Sequence, residues 1–212
     1  MQNQVSDNNS NQQPDNSWIA ELGRTIILSI VLALGIRIFV AEARWIPSGS
    51  MEPTLHGTPN QWEADKIIVD KLKYKFAEPQ RGDIVVFSPT LELQKEQYQD
   101  AFIKRVIGLP GDKVELKDGK VYINNQPLAE DKYLGSEQYT AIDVCRAGQT
   151  PYLAQPSTIP PNSYLVLGDN RTQSYDSRCW GVVPRQNIIG RAVVRFWPLN
   201  HVGGIDKSPL YP

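Results

Sequence analysis

The sequence predicts a mainly β fold preceded by one N-terminal transmembrane helix. Three observations predict it: an apolar run near the start, a succession of short β-branched segments after it, and an Asp-Gly pair set between two alternating apolar stretches.

Residues 1–17 are polar, rich in Asn and Gln, and hold only Met1 and Val5 as larger apolar side chains. They bury too little surface to offset the entropy of ordering, so a disordered tail is expected. Residues 25–41 read TIILSIVLALGIRIFVA. As a helix this stretch is about 26 Å long, close to the roughly 30 Å hydrocarbon core of a bilayer. Trp18 and Trp45 flank it where interfacial aromatics are favoured. The transmembrane helix is therefore placed at 18–43.

A buried soluble helix is disfavoured because the run has no polar face. A cleavable signal peptide is a closer rival, since Ala41-Glu42-Ala43 has small residues at the spacing of a cleavage site. Arg37 interrupts the approach to that site and the leading flank carries only Arg24, which favours a retained anchor. Arg24 on one side against Arg37 and Arg44 on the other leaves the orientation undecided by charge.

Residues 44–212 form the expected β-rich domain. Strands are predicted at 66–70 (KIIVD), 83–87 (DIVVF), 102–107 (FIKRVI), 164–167 (YLVL) and 188–196 (IIGRAVVRF). In KVELKDGKVYIN, Val114 and Leu116 alternate on one side of Asp118-Gly119, and Val121 and Ile123 answer on the other. That is the signature of a hairpin with a type I′ turn. Five prolines between 125 and 162 argue for an irregular insertion there.

Composition removes several classes of function. A net charge of −1 with no basic block leaves no footprint for nucleic acid. Two histidines, His56 and His201, and two cysteines, Cys145 and Cys179, make none of the spacings that bind zinc, so no metal and no cofactor are expected. No Gly-rich phosphate cradle is present either.

Three segments carry chemistry: IPSGSMEPTL (46–55), FIKRVIGLPGD (102–112) and LGDNRTQSYDSRCWG (167–181). The first sets Ser48 and Ser50 around a glycine between two prolines, a geometry able to expose a hydroxyl, although such clusters alone are usually turns. Neither histidine lies in a motif that would make it the base for a serine, whereas a lysine can serve if it is neutral. Lys104 fits that demand. On a strand it shares a face with Phe102 and Val106, and apolar surroundings lower a lysine's pKa. A solvated edge lysine is the plain alternative. The other Ser-Lys arrangement, S-x-x-K, is absent at Ser50, which Met51, Glu52 and Pro53 follow.

Together these segments closely resemble the type I signal peptidase family, including its cyanobacterial and plant thylakoid members. The likeness runs from about residue 37 to 198 and includes RGDIVVF at 81–87. It implies a signal-peptidase-like β-sheet catalytic domain that cuts signal peptides from exported preproteins after small residues. It implies Ser50 as nucleophile, Lys104 as general base, and Ser48 with the Ser50 amide as oxyanion hole. It further implies that Ser174 hydrogen-bonds and orients the lysine, and that Asp169, Asp176 and Arg178 brace the loop. Ile46, Met51, Leu55 and Ile103 fall on the family's substrate-pocket positions, while Arg44 departs from the apolar residue many members carry.

The resemblance also implies a lipid bilayer as partner, an amino terminus in the cytoplasm and a catalytic domain on the export side of a plasma or thylakoid membrane. Extended chain from Ala41 to Ser50 reaches at most about 30 Å, keeping Ser50 near that surface. In an exported domain Cys145 and Cys179 are either a disulfide or two free thiols.

Overall fold

The computed structural model describes residues 17–135 and 138–205. The expected disorder over 1–17 lies, apart from Ser17, outside the described residues.

Helix α1 (Ser17–Phe39) stands apart from the rest of the chain, with its apolar side chains exposed along its length. At 23 residues it is about 35 Å long. Among the described residues it is the one helix long and apolar enough to cross a membrane. It closes at Phe39, short of the expected boundary at residue 43. Residues 41–43 lie instead in strand β1 (Ala41–Trp45), which pairs antiparallel with β2 (Lys66–Asp70), Ala41 opposite Asp70 and Trp45 opposite Lys66. A neighbouring strand thus offers these residues a second set of backbone partners, which hydropathy along the chain does not register.

The domain is mainly β, as expected. Strands β3 (Ile84–Phe87) and β4 (Phe102–Gly108) pair next, followed by β5 (Lys113–Lys117) and β6 (Lys120–Ile123) in a hairpin. Asp118 and Gly119 at its turn have φ of 52° and 73°, the positive values an Asp-Gly turn supplies. Two-residue strands β7 (Gln126–Pro127) and β8 (Ser157–Thr158) then precede β9 (Ser163–Leu167), β10 (Val183–Pro184), β11 (Ile188–Trp197) and β12 (Gly203–Gly204).

The larger sheet runs β1-β2-β11-β3-β4-β9-β10, with β12 also on β11, and the smaller runs β7-β6-β5-β8. The insertion at 125–162 is therefore irregular only in its middle. Its ends extend the hairpin sheet.

Apolar alternation on these strands builds three core clusters. One gathers Val85, Phe87, Val106, Val166 and Trp180; a second, Ile46, Met51, Leu55, Ile67 and Val86; the third, Ile107, Val114, Val121 and Leu165. Strand β4 contributes to both faces of the sheet, which is why one strand can present a side chain to the first cluster and its neighbour to another. Cys145 and Cys179 are disulfide-bonded, tying the insertion to the short helix Ser177–Trp180.

Candidate active site

Ser50 sits in a single 3₁₀ turn, Gly49–Met51, whose Met51 side chain is fully buried in the second cluster. That burial anchors the turn and leaves the Ser50 hydroxyl directed across to β4. Lys104 lies on β4 opposite Val85 of β3, between Phe102 and Val106 on the face packed on the first cluster. It is 3 % exposed, and its Nζ lies 2.7 Å from Ser50 Oγ and 2.9 Å from the Ile103 carbonyl oxygen.

Burial drives the Lys104 pKa down from 10.5 to about 8. Asp176 and Asp169 partly oppose that fall and Arg178 adds to it. A lysine that sheds its proton this easily can accept one from a hydroxyl it touches. Ser48 donates to Ser50 Oγ at 3.3 Å.

Asp169, Asp176 and Arg178 are fully buried. Asp169 takes a paired contact from Arg105, Nε at 2.8 Å and Nη2 at 2.7 Å, and accepts from Thr54 Oγ1 at 2.5 Å. Asp176 caps the helix Ser177–Trp180, accepts from the Gly168 amide at 3.0 Å and binds Arg178 at 2.8 and 2.9 Å. Arg178 continues to the carbonyls of Ala141, Arg171 and Ser174.

The expected bond between Ser174 and Lys104 is not formed. Ser174 is buried, but its hydroxyl has no hydrogen-bond partner among the described residues and packs against Gly168, while the lysine amine is turned toward Ser50 and Ile103.

A groove of about 430 Å³ opens over this pair, with residues 47–50 along it, residues 100–104 also lining it, and Tyr98 and Tyr175 in the wall. Of the four expected pocket residues Ile103 lines it. Ile46, Met51 and Leu55 lie in the core instead, packed with Ile67, Val69 and Ile84, because the apolar face they form is claimed by the sheet.

The family model of signal peptidase, peptidase S26, matches residues 19–197 of the chain. The chain belongs to that family. It is 51 % identical over 204 residues to Signal peptidase I of Leptolyngbya laminosa, covering 95 % of this chain and 91 % of the relative. It is 48 % identical over 190 residues to Probable signal peptidase I-2 of Synechocystis sp., covering 90 % and 78 %. Thylakoidal processing peptidase 1, chloroplastic, of Arabidopsis thaliana is 32 % identical over 223 residues, covering 96 % and 60 %. The chain is thus a signal peptidase, a serine protease whose substrates are preproteins carrying signal peptides.

The geometry adds residues of this signal peptidase that sequence reasoning passed over. Asn170 clamps the serine turn, donating from Nδ2 to the Gly49 carbonyl at 3.1 Å and from its amide to the Ser50 carbonyl at 3.2 Å. Arg171, fully buried, joins the Gly168 carbonyl at 2.9 Å to Glu130 and Thr140 of the insertion. Both sit inside the motif already marked by Asp169 and Asp176, so density of polar residues was their signal. Arg105 had one too: a charge between Ile103 and Ile107 on one strand face.

Gly168 carries a testable consequence. A Cβ there would stand 2.4 Å from the Ser50 carbonyl oxygen and 2.2 Å from Ser174 Oγ, so the serine turn must move to admit it. Gly168→Ala is expected to lower kcat about 10- to 100-fold by displacing Ser50, with about 1–3 kcal/mol lost in stability. Preprotein cleavage and urea denaturation measure the two effects.

Proposed function

We propose that Ser50 and Lys104 are the catalytic dyad of this peptidase and that α1 anchors it in a membrane. The contact of 2.7 Å between two buried side chains 54 positions apart carries the reading. Ser50 Oγ attacks the carbonyl carbon of the last signal-peptide residue as Lys104 Nζ takes its proton. The Ser48 hydroxyl and the Ser50 amide stabilise the oxyanion, an effect typically worth about 3–4 kcal/mol per donor. Lys104 then gives the proton to the departing amine, and water hydrolyses the acyl-enzyme by the same base.

Strand β4 pairs with β3 from Phe102 onward but with β9 only from Arg105. Residues 102–104 therefore keep one edge open along the groove, which supports a substrate lying extended beside β4 as an added strand. Ile103 in the wall supports acceptance of small apolar side chains before the cut. Asp169, Asp176 and Arg178 hold the loop behind Ser50. The amino terminus lies in the cytoplasm and the catalytic domain on the export side, where a disulfide persists.

The pH dependence tests this reading. The working base is neutral Lys104, so the rate rises tenfold per pH unit up to about 8 and levels above it. Initial rates on a preprotein whose signal ends in Ala-x-Ala, with detergent-solubilised enzyme, read the profile. A midpoint near 6.5, the histidine value, would overturn the assignment.

A further inference from the structure

The segment after β2, residues 71–76 (KLKYKF), is basic and aromatic and has no part in the dyad. It is fastened to the last turn of α1. The Lys71 amide donates to the Val40 carbonyl at 2.9 Å, Lys71 Nζ reaches the Arg37 carbonyl at 3.4 Å, and Lys75 Nζ stands 5.2 Å from the Phe39 ring centroid. Phe39 closes the helix, so the segment lies at the level where that helix leaves the hydrocarbon.

Its side chains are sorted accordingly. Tyr74 turns inward, its hydroxyl donating to Asp83 at 2.8 Å, and Lys75 and Phe76 turn outward. Phe76 is 87 % exposed, so its ring is free to meet an apolar surface outside the chain.

Nearby carboxylates are already engaged. Glu42 holds Arg44 and Lys71, Asp70 accepts from the amides of Leu72 and Lys73, and Glu78 binds Tyr164 and Arg185. Lys75 has no carboxylate partner among the described residues. The outward charge is therefore positive, with a ring beside it.

We infer that residues 71–76 form a second membrane contact, in which Lys75 binds anionic lipid headgroups while Phe76 enters the boundary of the bilayer that α1 crosses. The inference rests on the anchor reading above. Lysine stems long enough to snorkel and a ring able to sit among headgroups suit that boundary. With α1 as one attachment and this segment as another, the domain is held at one tilt on the surface.

The test uses the full chain carrying Phe76→Cys. Cys145 and Cys179 are bonded to each other, so the new thiol alone takes an environment-sensitive fluorophore. The labelled protein is reconstituted into phosphatidylcholine vesicles with or without phosphatidylglycerol and floated on a density gradient. Expected are a blue-shifted emission and lowered iodide quenching, both stronger with phosphatidylglycerol. Lys75→Gln should reduce the ratio of buried to exposed probe about fivefold in anionic vesicles.

A chain that floats while its probe stays open to iodide overturns the contact and leaves the anchor standing. A chain that does not float overturns both. Equal burial in the two lipids overturns the anionic preference, and burial that vanishes as the protein is diluted in lipid assigns the patch to a second copy and overturns the proposal.

Discussion

Lys104→Ala is expected to abolish preprotein cleavage, lowering kcat by about 10⁴-fold or more, and Ser50→Ala to do the same. In the proposed dyad the two groups act on one proton, so the double variant should be no worse than either single one; additive losses would separate them. Lys104→Arg is equally inactive, since a guanidinium holds its proton at every working pH.

The same lysine weakens the fold. Its pKa is about 8 in the folded state and 10.5 when unfolded. Between those values the unfolded chain binds a proton that the native chain does not, so stability rises with pH across that window and is at its lower level below about 8. Lys104→Met removes the penalty. It is expected to be inactive and yet more stable at neutral pH by up to about 3 kcal/mol. Cleavage assays and urea titrations at about pH 7 and pH 10 read both effects. A Lys104→Ala enzyme within tenfold of the parent would end the dyad assignment.

The other large effect belongs to Arg105 and Asp169. Both are essentially inaccessible, joined through two nitrogens, with the Gly82 carbonyl and Thr54 completing the arrangement. Arg105→Met strips the charge from one side only and strands a buried carboxylate, a loss of about 3–5 kcal/mol. Asp169→Leu strands the guanidinium at similar cost. Removing both together should recover most of the loss, because each single change is dominated by the charge left behind.

Activity will not recover in parallel. Asp169 stands between Gly168 and Asn170, which abut the serine turn, so the double variant should fold and cleave slowly. Single variants that lose less than about 1 kcal/mol would mean that the pair is solvated.

How far a residue could be read in advance follows the range of the forces that place it. The strands at 66–70 and 102–107 and the Asp118-Gly119 hairpin are local: periodicity and turn chemistry suffice, and each appears where expected. The run at 25–41 is helical as far as Phe39 and gives way to β1 at Ala41. The strands that went unread, β1, β7, β8, β10 and β12, are five residues or fewer and lie at sheet margins. Pairing with a distant partner creates them, and nothing in their own residues announces it.

Ser50 and Lys104 could be named from their motifs together with the need of a serine for a base, and family likeness joined the two. Their distance could not. By itself the sequence determined the class of fold, the apolar helix and the chemical types available to a site. The tertiary structure alone decided that the amine meets the hydroxyl, that Arg105 pairs with Asp169, that Ile46, Met51 and Leu55 go to the core, and that the cysteines join. Each of these depends on how sheet twist and strand order bring remote side chains into one low-dielectric volume, where a contact made or missed changes the energy by several kcal/mol.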